Sequence, residues 1–370
     1  MNGRIRELLG LFVKLGLIGF GGPAAHIAMM RSEVVDRRRW LSPQRFLDLV
    51  GATNLIPGPN STELAIHIGR ERAGLWGLMA AGTAFIAPAM LIVLVLAWVY
   101  VRYGSAPAAD DVLYGIAPVV IAIVIAALWD LTATAVKNVW LALLGVSAFL
   151  LYVRGVNELL VLAGAALVAA IVANVGRAWM FVAPFVMSSE AFIRADVELP
   201  SLFLLFLKFG SVVFGSGYVL LAFLRTDLVV RLGWLTNEQL IDAVSVGQFT
   251  PGPVFTTATF IGYLIAGFPG ALLATLGIFL PSFLFVAALN PLIARIRRSP
   301  YLGPALDGVN VAAVGLMAGV VVQLGEVALI DPFTIGLAVV ALAVILRFRP
   351  NAVWPVLVGA IVGLGKWLVI

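Results

Sequence analysis

The sequence is poor in the residue types that build metal centres and many enzyme sites. It has no cysteine and only two histidines, His26 and His67, in 370 residues. Without cysteine there are no disulfides, thiolate metal sites or iron–sulfur ligands. Two histidines are too few for a conventional zinc site, and no nucleophile–base–orienter set or cofactor motif is present. We therefore expect no metal, no cofactor and no enzymatic activity.

Charged residues are also scarce. They make up 12% of the chain, about half the share usual in a soluble domain, while 62% of the residues are apolar and the mean hydropathy is +1.07. Long apolar runs predict an all-helical polytopic membrane protein in a lipid bilayer, because a β-barrel would need short alternating strands. The net charge of +5 falls mostly in loops, so we do not expect a nucleic-acid partner.

The chain contains an internal duplication. Adding 194 to the numbering superimposes the first half on the second for about fifty residues, and after one deletion the offset is 193. We predict two homologous repeats, residues 1–195 with a linker segment and residues 196–370. The matched pairs include Lys14 with Lys208, Trp40 with Trp234, Asp48 with Asp242, Asn54 with Gln248, Thr62 with Thr256 and Pro88 with Pro281.

Each repeat carries two sequences that interrupt a helix. Pro-Gly-Pro at 57–59 and at 251–253 removes backbone donors and clashes with the preceding turn. The glycine-rich breaks at 20–23 and 214–217 allow close backbone approach. Ser42 and Thr236 are expected to cap the helix before each Pro-Gly-Pro. Two broken helices and about four further helices are therefore predicted in each half.

The loop arginines predict how the halves are oriented. Five arginines between 295 and 349 fall on the face opposite Arg225 and Arg231. Since positive charge marks the cytoplasmic side, we expect the second half to be inverted relative to the first. That arrangement needs an odd number of crossings before the second half, and residues 179–193 are the extra segment we expect. The sequence leaves the oligomeric state open, a homodimer included.

Restarted helices with exposed N–H groups predict an anion site. Hydroxyl and amide side chains near the breaks can add donors or only cap the backbone. A charged side chain within an apolar membrane helix costs free energy, so Lys14 and Lys208 are expected either to face a bound anion or to snorkel to an interface. The predicted binding set is Lys14, Gly21, Gly22, Asn54, Gly58, Asn60, Ser61, Thr62, Lys208, Gly215, Ser216, Gln248, Gly252, Thr256 and Thr257.

A second set of residues suggests proton coupling. Glu63 and His67 are four residues apart, a spacing that permits a hydrogen-bonded, protonatable pair on one helical face. The alternative is that Glu63 only favours the helix dipole. His26 follows the first break and either joins the coupling or only caps the backbone or faces water. The second half has no equivalent of these three residues.

The segments from Phe20 to His26 and from Asn54 to Pro59, together with the duplication, resemble the chromate ion transporter family in its long, two-domain form. The resemblance covers essentially the whole chain. It implies a secondary carrier of the prokaryotic inner (plasma) membrane that exports chromate and confers chromate resistance, with two halves of opposite orientation. The second half departs from the first motif, since Ser216-Gly217-Tyr218 has neither histidine nor proline.

The function we expect is export of a tetrahedral oxyanion, most simply chromate, by alternating access between the repeats. Sulfate or another dianion of similar size is the alternative substrate. An anion channel with the same donors is the nearest alternative mechanism. An intramembrane enzyme using Glu63 and His67 is an alternative from another class, which lacks a supporting motif.

Overall fold

The computed structural model describes residues 2–104, 107–174, 198–214, 219–289 and 300–369. Within these ranges the regular elements are helical and none is a strand, which confirms the all-helical prediction. The segment 179–193, the repeat boundary at 195 and the predicted site residues Gly215 and Ser216 lie outside the described residues.

Within the described residues, each half contains seven α-helices in the same order. The first half comprises α1 (Asn2–Ile18), α2 (Gly22–Arg31), α3 (Pro43–Thr53), α4 (Asn60–Tyr103), α5 (Pro107–Ala135), α6 (Val139–Val153) and α7 (Glu158–Ala173). The second comprises α8 (Leu199–Val212), α9 (Leu220–Leu224), α10 (Asn237–Phe249), α11 (Thr257–Leu289), α12 (Leu302–Ala328), α13 (Pro332–Phe348) and α14 (Val353–Val369). Short π-helical segments, Ser32–Arg37 and Arg225–Arg231, follow α2 and α9.

Four of these helices are long and apolar enough to cross a membrane. They are α4, α5, α11 and α12, so the same two positions in each repeat provide them. A bilayer core needs about 20 apolar residues, and the remaining apolar helices are shorter. The chain is thus a polytopic helical membrane protein.

The helix interruptions lie where prolines and glycines predict them. The first half has no helix between Thr53 and Asn60, and α10 ends at Phe249, just before the second Pro-Gly-Pro. Ser42 accepts a hydrogen bond from the backbone of Arg45, and Thr236 forms a capping box with Gln239. Both predicted N-caps are therefore confirmed.

Helices α4 and α11 each contain a sharp internal turn that sequence analysis did not predict. The turn lies at Ala73-Gly74 in α4 and at Ala266-Gly267 in α11, and both glycines have a positive φ. Each turn folds a short helix back against the long one that follows. A side chain on Gly69 would clash with the carbonyl oxygen of Gly77, so only glycine permits this approach.

The breaks of one half are hydrogen-bonded to those of the other. Gly58, in the first Pro-Gly-Pro, donates its N–H to the carbonyl of Val213 at 2.7 Å. Gly252, in the second, donates to the carbonyl of Gly19 at 2.8 Å. Gly19 and Val213 are equivalent positions under the 194-residue offset. Each Pro-Gly-Pro is therefore hydrogen-bonded to the chain beside the glycine-rich break of the other half.

Candidate functional site

A cavity of about 870 Å³ lies between the two halves. Its first-half wall comes from the start of α2, the end of α3, the start of α4 and one face of α5. Its second-half wall comes from the end of α10, the second Pro-Gly-Pro, α12 and the end of α13. Six residues of the predicted binding set line it: Gly21, Gly22, Asn54, Asn60, Gln248 and Gly252.

The first turn of α2 forms part of the cavity wall. Residues 21–24 line the cavity, and the N-cap Gly21 has a left-handed φ of 100° and no side-chain cap. Gly22 also has a positive φ, 75°, a conformation that glycine adopts without strain. The double glycine therefore places the start of α2, which has no side-chain cap, in the cavity wall at the positive end of a helix dipole.

Amide side chains supply further polar groups on both walls. Asn60 donates through Nδ2 to Oδ1 of Asn54 at 2.9 Å, which links the two ends of the first broken helix. This bond uses the Asn54 oxygen and leaves the Asn54 amide nitrogen as its donor group. Gln248, the repeat counterpart of Asn54, lines the opposite wall.

Four charged residues lie at the end of the cavity where α5 and α13 finish and α12 begins. Lys137 Nζ lies 2.6 Å from Asp307 Oδ1, and Arg349 Nη2 lies 3.1 Å from Asp130 Oδ1. Each pair joins one half to the other, and all four residues line the cavity. Sequence analysis missed them because none has a charged counterpart in the other repeat.

Lys14 and Lys208 have carboxylate partners, which sequence analysis did not anticipate. Lys14 Nζ lies 2.9 Å from Glu33, and Lys208 Nζ lies 2.7 Å from Asp227. Neither lysine is among the residues that line the cavity, and their anion-facing position stays a prediction. The 194-residue offset maps Glu33 onto Asp227, a signal that could have revealed the pairing.

None of the predicted hydroxyl donors in the described part of the chain lines the cavity. Thr256 and Thr257 donate to the carbonyls of Pro253 and Val254, each at 2.8 Å. A hydroxyl has one proton to donate, so these two are committed to the backbone. Ser61 and Thr62 are buried in the first turn of α4.

Gly58 faces Glu63 instead of the cavity. A side chain at Gly58 would clash with Oε1 of Glu63 and with the hydroxyl of Ser282 in α11. Glu63 is fully buried, and Ser282 lies 3.5 Å from its Oε1. The two Pro-Gly-Pro motifs thus have different surroundings, since the first borders a carboxylate and the second borders the cavity.

The hydrogen bond that their spacing permits between Glu63 and His67 is not formed. Oε2 of Glu63 and both ring nitrogens of His67 have no partner among the described residues. The carboxylate is turned towards Gly58 and α11, away from the imidazole one turn further on. Arg70, three residues beyond His67, hydrogen-bonds the carbonyls of Val286 and Ala287, so this face of α4 packs on the second half.

His26 stabilises the first break. Its Nε2 lies 2.8 Å from the carbonyl oxygen of Gly19, so this nitrogen donates the proton. The same oxygen accepts the N–H of Gly252. His26 also packs edge-on against Phe85, with ring centroids 5.3 Å apart. This geometry corresponds to the capping alternative for His26.

These features define a class of protein: a helical membrane protein with two repeats and, between them, a cavity that carries polar groups on both walls. The family model described as chromate transporter matches residues 6–170 and again residues 200–364, so the chain belongs to the chromate transporter family. The double match also confirms the duplication.

Several relatives are similar over most of their length. The chromate transport protein of Cupriavidus metallidurans is 34% identical, covering 93% of this chain and 88% of that protein. A probable chromate transport protein of Synechococcus elongatus is 34% identical over 90% and 88%, respectively. The chromate transport protein of Pseudomonas aeruginosa is 30% identical over 98% and 92%. No solved structure matches the chain.

Proposed function

We propose that this protein exports chromate, or a tetrahedral dianion of the same size, across the prokaryotic inner membrane. The observation that carries the proposal is the cavity between the repeats, which the uncapped start of α2 borders. Backbone N–H groups and amide nitrogens suit an acceptor-only ligand. The names of three relatives support chromate as the substrate.

The proposed mechanism is alternating access, in which the halves tilt against each other around the cavity. Both walls of the cavity contribute polar groups, and reciprocal hydrogen bonds join the breaks of the two halves. Such an arrangement lets a tilt expose the same donors to either side in turn. An inverted second half would give the two exposed states similar geometry.

We further propose that Glu63 carries the coupling proton, with His67 as its neighbour. Glu63 is fully buried, and no group in the described part of the chain bonds its Oε2. An ionised carboxylate without a partner is costly inside a protein. Glu63 also lies where α4 meets α11, so a proton on it would favour the packed arrangement of the halves.

The test is transport by the purified protein in proteoliposomes. Labelled chromate is offered with and without a pH gradient, and unlabelled sulfate is the competitor. We expect saturable chromate movement that the gradient drives and that Glu63→Gln uncouples from it. Flux that does not saturate and ignores the gradient would favour a channel. Strong inhibition by sulfate with weak chromate movement would make sulfate the substrate.

A further inference from the structure

The two ion pairs at the end of the cavity are not products of the internal duplication. Each pair joins the halves, and each half contributes one acid and one base. The 193-residue offset relates all four positions to uncharged ones. The counterparts of Asp130, Lys137, Asp307 and Arg349 are Gln323, Ile330, Tyr114 and Val156.

We propose that Lys137 and Arg349 are the first residues to bind the oxyanion, which displaces Asp307 and Asp130 from them and so opens the cavity. This inference rests on the proposed function, since it concerns how the same substrate enters. The two ion pairs are called the mouth pairs below.

Because the mouth pairs are exposed, replacing their carboxylates with the oxyanion costs little free energy. The side chains of Lys137 and Arg349 are 58% and 70% exposed, and those of Asp307 and Asp130 are 32% and 55% exposed. Ion pairs in contact with water contribute little to stability. The displaced carboxylates can return to water, so no charge becomes buried when they leave.

The chemistry of the ligand fits the same positions. A carboxylate and a tetrahedral oxyanion both present only acceptor oxygens, so either can satisfy an ammonium or a guanidinium. A dianion carries the charge of the two carboxylates together. Because each mouth pair links the halves, exchanging carboxylate for substrate removes two of the contacts that hold them together.

The proposal predicts opposite effects for the two partners of each pair. Lys137→Gln and Arg349→Gln should each raise the half-saturating chromate concentration about two- to fivefold, as expected for an exposed charge interaction. Asp307→Asn and Asp130→Asn should lower it by a similar factor, because the cation is then already free for the anion. A purely structural pair would shift both partners in the same direction.

The measurement is chromate flux against concentration for the full chain in proteoliposomes. A matched control is the exposed pair of Arg72 with Glu7, 2.8 Å apart and away from the cavity lining. Arg72→Gln and Glu7→Gln should leave the half-saturating concentration unchanged. If all four mouth variants shift it in one direction, or match the control, the proposal is overturned.

A second experiment tests the proposal independently, in case the four mouth variants do not fold. The native chain has no cysteine, so Lys137→Cys with Asp307→Cys provides two thiols without background. Joining them with a short bis-maleimide should lower flux at saturating chromate at least about tenfold below that of the same double variant treated with N-ethylmaleimide, which labels the two thiols without joining them. Full flux through the cross-linked protein would overturn the proposal.

Failure of the two proposals can be told apart. If the native chain moves neither chromate nor sulfate, the proposed function itself fails. If it moves chromate while the mouth variants or the cross-link give the contrary results above, only the mouth proposal fails.

Discussion

At the scale of single residues, polar and charged side chains near the helix breaks have different functions depending on whether they line the cavity. Asn60 lines the cavity at the first position of α4, where a negative charge would favour the helix dipole and oppose a bound anion. Lys208 is held by a carboxylate away from the cavity. Substitutions can separate these tasks, because one affects transport and the other affects folding.

Asn60→Asp should reduce chromate transport at least about tenfold with little change in thermal stability. The carboxylate repels the substrate, and its favourable dipole interaction of roughly 0.3–1 kcal/mol offsets the loss of the hydrogen bond that Asn60 donates to Asn54. Flux in proteoliposomes and the unfolding temperature in detergent check the two parts. Undiminished transport would remove Asn60 from the site.

Lys208→Gln should lower stability by about 2 kcal/mol, the cost expected for losing a hydrogen bond to a charged group. Asp227 is only 3% exposed and keeps Arg231 at 3.0 Å, which limits the damage. Lys14→Gln is the matched control, and it should cost less because Lys14 is 50% exposed. A large loss of chromate transport with no loss of stability would return Lys208 to the substrate site.

At the scale of helices, close backbone contact determines how α4 and α11 fold back on themselves. The contact of Gly69 with Gly77 recurs as Gly262 with Gly270. The turns at Ala73-Gly74 and Ala266-Gly267 are thus stabilised by the same glycine–glycine backbone contact in both repeats.

Gly69→Ala and Gly262→Ala should each destabilise the protein by about 1–3 kcal/mol, because the added methyl group forces packed backbones apart. Gly164→Ala in α7 is the control, since nothing described lies within 4 Å of its new methyl group. Thermal unfolding of the three variants tests the difference. Equal stability of all three variants would show that the packed backbones on either side of each turn can move apart without cost.

At the scale of the whole molecule, the two halves depend on each other. The bonds from Gly58 to Val213 and from Gly252 to Gly19 are made only when both halves are present. We expect residues 1–195 and 196–370, expressed as separate chains in one cell, to co-purify through a tag on either one. A half expressed alone should be degraded or aggregate, and stable recovery of a lone half would contradict this dependence.

Much of this architecture follows from local sequence, because prolines, glycines and capping residues act on their immediate neighbours. The breaks near Pro57 and Pro251 and the caps at Ser42 and Thr236 could therefore be predicted. The partners of Lys14 and Lys208 were missed because each lies nineteen residues away, beyond a helix break. The mouth pairs join distant helices of different repeats, and no spacing within one segment encodes such contacts. The inverted orientation stays a prediction.

One backbone oxygen accepts hydrogen bonds from both repeats. The carbonyl of Gly19 accepts both the ring of His26 and the N–H of Gly252. Two donors from different repeats thereby share one acceptor. If the repeats tilt apart during transport and Gly252 leaves this oxygen, His26 remains as its donor, so the separation does not leave the carbonyl of Gly19 unpaired.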